Sequence, residues 1–213
     1  SGPHPRQLPK LFPRRCALAI LRITTCRRSQ LTNMDAKTNA SLTLIDLEPE
    51  LEDFRHAVVE GLNTSPQKTL PCKFFYDAAG SALFDLDEYY PTRTEISILE
   101  ACADELAELI GPDRLLVEYG SGSSIKIRIL LDHLALAAYM PLDISRDHLL
   151  QSAQKIADDY PQLDVMPVCA DYSQLTNLPE YSANPEQRRV GFFPGSSIGN
   201  FTREEAGDFM RNV

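Results

Sequence analysis

A glycine-rich turn between a predicted strand and a predicted helix is the segment best suited to bind a ligand. It carries Glu118, Gly120 and Gly122 in the pattern Glu-x-Gly-x-Gly. Because glycine has no Cβ, the turn can adopt unusual backbone angles and let a ligand approach the main chain, and the following helix offers unpaired N–H groups. Many such turns carry glycine for steric reasons alone, so the pattern needs support from other residues.

Two acidic residues close the next two predicted strands. Asp143 follows Gly122 by 21 residues, where a carboxylate can accept hydrogen bonds from both hydroxyls of a ribose. Asp171 closes the third strand, where an acid and the N–H of Tyr172 can meet an adenine edge. Either acid could instead cap a helix or stabilise a turn. Their coincidence on successive strand ends favours an adenosine site.

The residues around the glycines distinguish among adenosine cofactors. Ile125 stands where a dinucleotide fingerprint has a third glycine, and Lys126 lacks the Ser or Thr that follows lysine in a P-loop. Glu118 suits a positively charged ligand such as S-adenosylmethionine (SAM) better than a pyrophosphate. The pattern resembles the cofactor motif of class I methyltransferases, which implies SAM as the cofactor.

Short apolar runs alternate with helical stretches from residue 115 onward, which predicts an α/β fold with a Rossmann-like parallel sheet and crossover helices. Helical segments at 47–62 and 96–110 precede it. Only one helix follows the fourth predicted strand, so the sheet is expected to be incomplete, with open edges. The predicted strands are 115–119, 139–142, 163–168 and 190–193; the predicted helices are 124–136, 146–160 and 203–210, the last opened by a capping box of Thr202 and Glu205.

Composition divides the chain into three predicted regions. Residues 1–33 hold Lys10, six arginines and no acid, and we expect this basic leader to be disordered or non-native, with Met34 as the natural start. Residues 34–111 are expected to form a helical, substrate-contacting region, and residues 112–213 a partial Rossmann-like cofactor-binding domain.

Charge and cysteine usage narrow the class of partner. The formal net charge is −9 despite the basic leader, and so acidic a body disfavours nucleic acid as a partner. No apolar run approaches the ~18–20 residues that span a bilayer. The scattered cysteines and histidines show no metal-site or disulfide spacing. We therefore expect a cytoplasmic protein with a small-molecule ligand, no metal and no membrane partner.

Four blocks narrow the resemblance further: KFFYDAAGS at 73–81, EYYPTRTE at 88–95, EYGSGSSIK at 118–126 and FPGSSIGNF at 193–201. From about residue 45 to 213 the chain resembles the L-histidine Nα-methyltransferase family of ergothioneine biosynthesis. The resemblance implies transfer of methyl groups from SAM to the α-amino group of histidine, three in turn, which gives hercynine. It also implies that this chain is truncated at its C-terminus; we expect the full-length protein to be a monomer.

The resemblance also assigns roles to individual residues. Tyr76, Tyr89 and Asn200 are the candidate catalytic residues; Tyr76 is expected to face the imidazole, and Tyr89 and Asn200, with Gly195, to hold the backbone end of the amino acid. Tyr90 could exchange roles with Tyr89. The implied cofactor-binding residues are Glu118, Gly120, Gly122, Lys126, Asp143, Asp171 and Tyr172.

Several alternatives stay open at this point. Arg93 and Glu95 are expected to pair with each other or to cap the helix that follows, and Lys126 is as compatible with a solvated side chain as with a ligand contact. The chain could belong to a class I methyltransferase for another amine. It could also be an inactive, truncated fragment of the histidine family.

Overall fold

The computed structural model describes residues 20–23, 42–49, 53–75, 83, 86, 89–122, 124–175 and 177–213. Its strands are β1 (Ile20–Ile23), β2 (Ile45–Asp46), β3 (Leu115–Tyr119), β4 (Ala138–Asp143), β5 (Asp164–Val165), β6 (Val168–Cys169) and β7 (Arg189–Phe192). Its helices are α1 (Phe54–Asn63), α2 (Tyr90–Ile110), α3 (Ile125–Leu131), α4 (Arg146–Asp159) and α5 (Arg203–Asn212), with 3₁₀ turns at Cys72–Phe75 and Ser197–Asn200.

The strands of the described residues form one seven-stranded sheet in the order β1-β7-β3-β4-β6-β2, with β5 also paired to β4. The pair of β1 with β7 is antiparallel, and the other pairs are parallel. The carboxyl ends of β3, β4, β6 and β7 therefore lie along the same edge of the sheet. The predicted α/β fold with a parallel sheet is confirmed.

The two central strands, β3 and β4, are covered on both faces. Successive side chains of a strand point to opposite faces, so Leu116 joins a core cluster with residues of α2, α3 and α4, whereas Leu115 and Val117 join a cluster with Phe209 of α5. All five residues of β3 are buried. Each such aliphatic side chain stabilises the fold by about 1.5–3 kcal/mol, which fixes the strand ends in place.

The prediction of four strands is wrong in number, because β1 and β2 extend the sheet on its two sides and form its edges. On one side β1 pairs with β7, and on the other β2 pairs with β6. Exposed strand edges leave N–H and C=O groups unpaired, and these added strands satisfy them; the N–H of Ile45, for example, donates to the carbonyl of Pro167 at 2.9 Å. A two-residue strand such as β2 is too short to show an alternating pattern in the sequence.

Strand β1 lies within the basic leader. The expectation that the leader lacks structure does not hold for Ile20–Ile23, because the backbone of this segment pairs with β7. The rest of residues 1–33 lies outside the described residues.

The predicted third strand is divided in the structure. β5 and β6 each pair with β4, and Pro167 lies between them. Proline has no N–H to donate to a strand ladder, so the pairing is interrupted there. The strand still delivers Asp171 to the edge of the sheet that carries Asp143.

Helix boundaries follow the local capping residues. α1 begins at Phe54 rather than at residue 47, because the carboxylate of Asp53 accepts from the backbone N–H of Arg55 at 2.8 Å and so caps the helix. α2 begins at Tyr90 rather than 96, with Pro91 in its first turn, where a missing N–H costs nothing.

The helices that cross between the strands agree with the prediction, except that α3 ends at Leu131 rather than at residue 136. The predicted capping box of α5 is confirmed: the N–H of Glu205 donates to Thr202 Oγ1 at 3.2 Å, and the N–H of Thr202 donates to Glu205 Oε2 at 2.7 Å. Among the helices of the described residues, none combines the length and apolar character that crossing a membrane requires.

Gly61 provides a test of how α1 holds the segment that leads to the Cys72–Phe75 turn. The N–H of Thr69 donates to the Gly61 carbonyl at 3.1 Å, and a Cβ at Gly61 would overlap the carbonyl oxygen of Thr69. We expect Gly61→Ala to lower the free energy of unfolding by about 1–3 kcal/mol, measured by urea denaturation.

The matched control is Gly207→Ala in α5, where the new Cβ would meet the flexible end of Arg211 at 3.5 Å. This substitution is expected to raise the free energy of unfolding by about 0.5–1 kcal/mol, since alanine favours helix more than glycine does. Equal effects of the two substitutions would contradict the steric constraint at Gly61.

Candidate functional site

The glycine turn after β3 is held over the end of β4 by backbone hydrogen bonds. The N–H groups of Gly120 and Ser121 both donate to the carbonyl of Leu142, at 2.9 and 3.0 Å. Gly120 and Gly122 have φ of +73° and +49°, in the left-handed region that favours glycine. A Cβ at Gly122 would meet no described atom within 4 Å, so a ligand can approach the backbone at this position.

Asp143 fastens the same turn to the end of β4. Its Oδ2 accepts from the N–H of Gly122 at 3.1 Å, and its Oδ1 accepts from the N–H of Ser145 at 2.9 Å. Each carboxylate oxygen can accept a further hydrogen bond, so this arrangement leaves acceptor capacity for hydroxyl groups. The structure therefore places Asp143 beside the glycines, and its contact with a ribose stays a prediction.

Asp171 and Tyr172 follow β6 at the same edge of the sheet. Asp171 stabilises its own turn: Oδ1 accepts from the N–H and the hydroxyl of Ser173 at 3.0 and 2.5 Å, which is the turn role that the sequence left open. Lys73 Nζ lies 4.0 Å from Asp171 Oδ2. Tyr172 packs against the glycine turn, since a Cβ at Gly120 would lie 3.4 Å from its ring.

Glu118 lies beneath the turn rather than in it. Its side chain is buried, and the hydroxyl of Tyr139, on the neighbouring strand, donates to its Oε2. Burial raises the pKa of Glu118 to about 8, although the charge of Lys126 opposes the rise. Near neutral pH the carboxyl is thus mostly protonated. The contact with a cationic ligand that the sequence suggested for this residue stays a prediction.

Lys126 and Gly195 meet at one carboxylate that the sequence analysis did not place in the site. Glu95 Oε2 lies 2.5 Å from Lys126 Nζ, and Glu95 Oε1 accepts from the N–H of Gly195 at 2.7 Å. The expectation that Glu95 caps the following helix is wrong, because Glu95 lies inside α2, whose N-cap residue is Tyr89; its carboxylate pairs with Lys126 instead. The position of Glu95 inside the EYYPTRTE block was the signal that could have identified it.

The residues assigned to the amino-acid side of the site are only partly described. Tyr89 is the N-cap residue of α2 and is 38% exposed. Gly195 has φ of +81°, and Asn200 ends the Ser197–Asn200 turn with its side chain exposed. Both follow β7, so they belong to the same sheet edge as Asp143. Tyr76 lies outside the described residues.

The site fits a small, polar, nucleoside-containing ligand. Parallel sheets bind such ligands at the carboxyl ends of their strands, where the glycine turn, Asp143 and the Asp171 turn lie. The hydroxyl of Ser121 is buried and has no hydrogen-bond partner among the described residues. A buried polar group without a partner is rare in folded proteins, so this hydroxyl is suited to contact a ligand at the turn.

Comparison with known proteins identifies sequences related to this chain. A family described as "Histidine-specific methyltransferase, SAM-dependent" matches residues 54–213. The histidine N-alpha-methyltransferase of Mycolicibacterium smegmatis is 40% identical over 171 residues, which cover 76% of this chain and 51% of that protein. The chain thus spans about half the length of this relative.

Two fungal proteins extend the comparison. Ergothioneine biosynthesis protein 1 of Schizosaccharomyces pombe is 31% identical over 157 residues, covering 67% of this chain and 20% of that protein. The 4-dimethylallyltryptophan N-methyltransferase easF of Aspergillus fumigatus is 34% identical over 169 residues, covering 73% of this chain and 49% of that protein.

The raised pKa of Glu118 predicts a pH dependence of stability. The folded-state pKa of about 8 lies above the ordinary value of 4.5, so the contribution of this carboxyl is complete below pH 4.5 and is lost as the pH rises through 8. Glu118→Gln keeps an acceptor for Tyr139 and removes the titration. Between about pH 5 and 8, the stability of Glu118→Gln relative to the unaltered protein should rise by up to about 1.4 kcal/mol per pH unit.

Urea denaturation at several pH values measures this difference. Glu108→Gln, at an exposed position of α2, is the control for the same chemical change, and its stability is measured over the same pH range. A constant difference for Glu118→Gln would contradict the raised pKa.

Proposed function

The chain belongs to the SAM-dependent, histidine-specific methyltransferase family, and we propose that it carries the cofactor-binding part of an enzyme that methylates the α-amino group of L-histidine. The product would be Nα-trimethylhistidine, or hercynine, an intermediate of ergothioneine biosynthesis. The observation that supports this proposal most directly is the convergence of three of the four family blocks on one sheet edge, where the glycine turn is bound to Asp143 and Glu95 joins Lys126 to Gly195.

The residues at this edge are chemically suited to SAM. When bound, the cofactor supplies a methyl group activated by a sulfonium centre. We propose that the open backbone at Gly122 and the carboxylate of Asp143 hold the nucleoside, with Tyr172 beside them. Lys126, on the first turn of α3, is suited to an anionic group of the ligand.

Tyr76, Tyr89, Gly195 and Asn200 are proposed to hold the amino acid. Methyl transfer requires a neutral amine aligned with the methyl carbon, so positioning and exclusion of water matter more than a strong base. The amine of a free amino acid has a pKa above the ~7.7–8.0 of chain termini, because its own carboxylate stabilises the protonated form. Tyrosine and asparagine can hydrogen-bond the amine and carboxylate without adding a full charge that would favour the protonated amine.

Proposals about partners and location follow from charge and thiol chemistry. The acidic net charge of −9 repels nucleic-acid backbones, which supports a small-molecule substrate. Cys72 and Cys169 are free thiols, as in a reducing compartment, and we place the enzyme in the cytoplasm. We propose that the complete enzyme acts as a monomer.

The direct test incubates the complete product of the coding sequence with methyl-labelled SAM and L-histidine. Label should appear in mono-, di- and trimethylhistidine. The similarity to an enzyme named for 4-dimethylallyltryptophan makes that amine the competing substrate. Labelling of the tryptophan derivative with no labelling of histidine would overturn the substrate assignment, and failure to bind S-adenosylhomocysteine (SAH) would overturn the cofactor assignment.

Asn200 offers a sharper test of the amino-acid side. Asn200→Ala should raise the KM for histidine by about tenfold or more, because a lost hydrogen bond to a charged group costs roughly 1.5–3 kcal/mol, and should leave the Kd for SAH within about twofold. Asn184→Ala is the matched control, since Asn184 precedes β7 and lies at the opposite end of this strand. An unchanged KM in Asn200→Ala would remove Asn200 from the proposed site.

A further inference from the structure

Glu95 joins three elements that the proposed function assigns to different ligands. It lies in the N-terminal part of α2, whose N-cap residue is Tyr89. One carboxylate oxygen bonds Lys126 on α3, and the other accepts from the N–H of Gly195 after β7. Glu95 and Gly195 are 100 residues apart in the chain, so only the folded protein brings them together.

Both contacts of Glu95 are short and charge-assisted. The distance to the Gly195 nitrogen is 2.7 Å, as is usual for an N–H that donates to an ionised carboxylate, and the distance to Lys126 Nζ is 2.5 Å. The two charged side chains are only 20% and 23% exposed, which limits screening by solvent and salt. A carboxylate that uses both oxygens in this way fixes the relative positions of its partners.

The two partners of Glu95, Lys126 and the turn at Gly195, differ in how firmly the rest of the fold holds them. α2 and α3 pack together in the core, where Leu99 and Ile127 belong to one buried cluster, so Glu95 and Lys126 stand on well-packed helices. The turn at Gly195, in contrast, has two successive residues in the left-handed region: Gly195 at φ +81° and Ser196 at φ +57°.

The left-handed conformation of a non-glycine residue such as Ser196 costs roughly 1–3 kcal/mol, and it persists only where surrounding contacts impose it. The bond from the Gly195 N–H to Glu95 is one of the contacts that impose it. Lys126 Nζ lies close to the same turn, since a Cβ added at Gly195 would be 3.4 Å from it. The conformation of the turn therefore depends on where Lys126 and Glu95 are held.

We propose that Glu95 is a positioning residue that couples the cofactor side of the site, through Lys126, to the amino-acid side, through the Gly195 turn. A ligand that orders Lys126 also orders the Glu95 carboxylate and hence the turn that leads to Asn200. The second ligand then binds to a turn that is already ordered. Less conformational entropy is lost on its binding, so the two ligands bind cooperatively. This inference rests on the proposed function, because that function assigns the two sides to SAM and histidine.

Calorimetry measures the coupling as the ratio of the histidine Kd values without and with saturating SAH. In the complete, unaltered protein the ratio should be about fivefold or greater, within the range typical of coupled sites. In Glu95→Gln the ratio should fall to within about twofold of one. An amide offers one acceptor and one donor group, so in either orientation one of its two contacts becomes donor against donor.

Glu100→Gln is the matched control, because Glu100 lies exposed on the same helix and undergoes the same chemical change. It should keep the ratio of the unaltered protein. A general loss of stability would lower the melting temperature without changing this ratio, so the ratio separates positioning from a merely structural role. A Glu95→Gln protein with the unaltered ratio overturns the inference.

A second measurement uses the unaltered protein and applies even if Glu95→Gln does not fold. Amide hydrogen exchange at Gly195 should slow by about threefold or more when SAH alone is added, since ordering Lys126 should also order the bond to Glu95. Exchange that is indifferent to SAH overturns the coupling. If the protein methylates histidine but fails either test, the inference alone is wrong; if it binds no SAH, the proposed function fails with it.

Discussion

Parallel pairing of β3 with both β4 and β7 is the constraint on which the site depends. It places the ends of these strands side by side, so that the turn after β3 can bond to the carbonyl of Leu142 and the carboxylate of Asp143 at the end of β4. The Leu142 carbonyl accepts two N–H groups from this turn, and Asp143 accepts a third. Because these three bonds fix a left-handed glycine turn before any ligand arrives, little of its backbone entropy remains to be lost on binding.

Burial of Glu118 under this turn shapes the electrostatics of the site. An ionised carboxylate in that position would be costly, and the protein avoids the cost by keeping it protonated near neutral pH and bonded to Tyr139. The other charges at this edge of the sheet are then those of Asp143, the Lys73–Asp171 pair and the Lys126–Glu95 pair. Each of the two pairs is internally neutral, which lets the crevice accept a zwitterionic ligand without a large excess of either sign.

Structural features with a local signal could be predicted from the sequence, whereas features that depend on contacts between distant residues could not. The bounds of β3 and the capping box of α5 follow from consecutive apolar residues and from Thr202 with Glu205, all within a few positions. The pairing of β2 with β6 and the reach of Glu95 to Gly195 join segments far apart in the chain. The periodicity of the sequence does not reveal such contacts. A glutamate in a helix can have many roles, and its role depends on which residues the fold places opposite it.

The two sides of the site differ in construction, and this difference bears on substrate choice. Strand ends and packed helices hold the proposed cofactor side, whereas a left-handed turn at Gly195 and Ser196, tied to Glu95, leads to the proposed amino-acid side. Relatives named for histidine and for 4-dimethylallyltryptophan share 40% and 34% identity with the chain. An exposed turn can be reshaped at lower energetic cost than a buried strand end, so we expect relatives that act on different amines to differ more at this turn than at the end of β4.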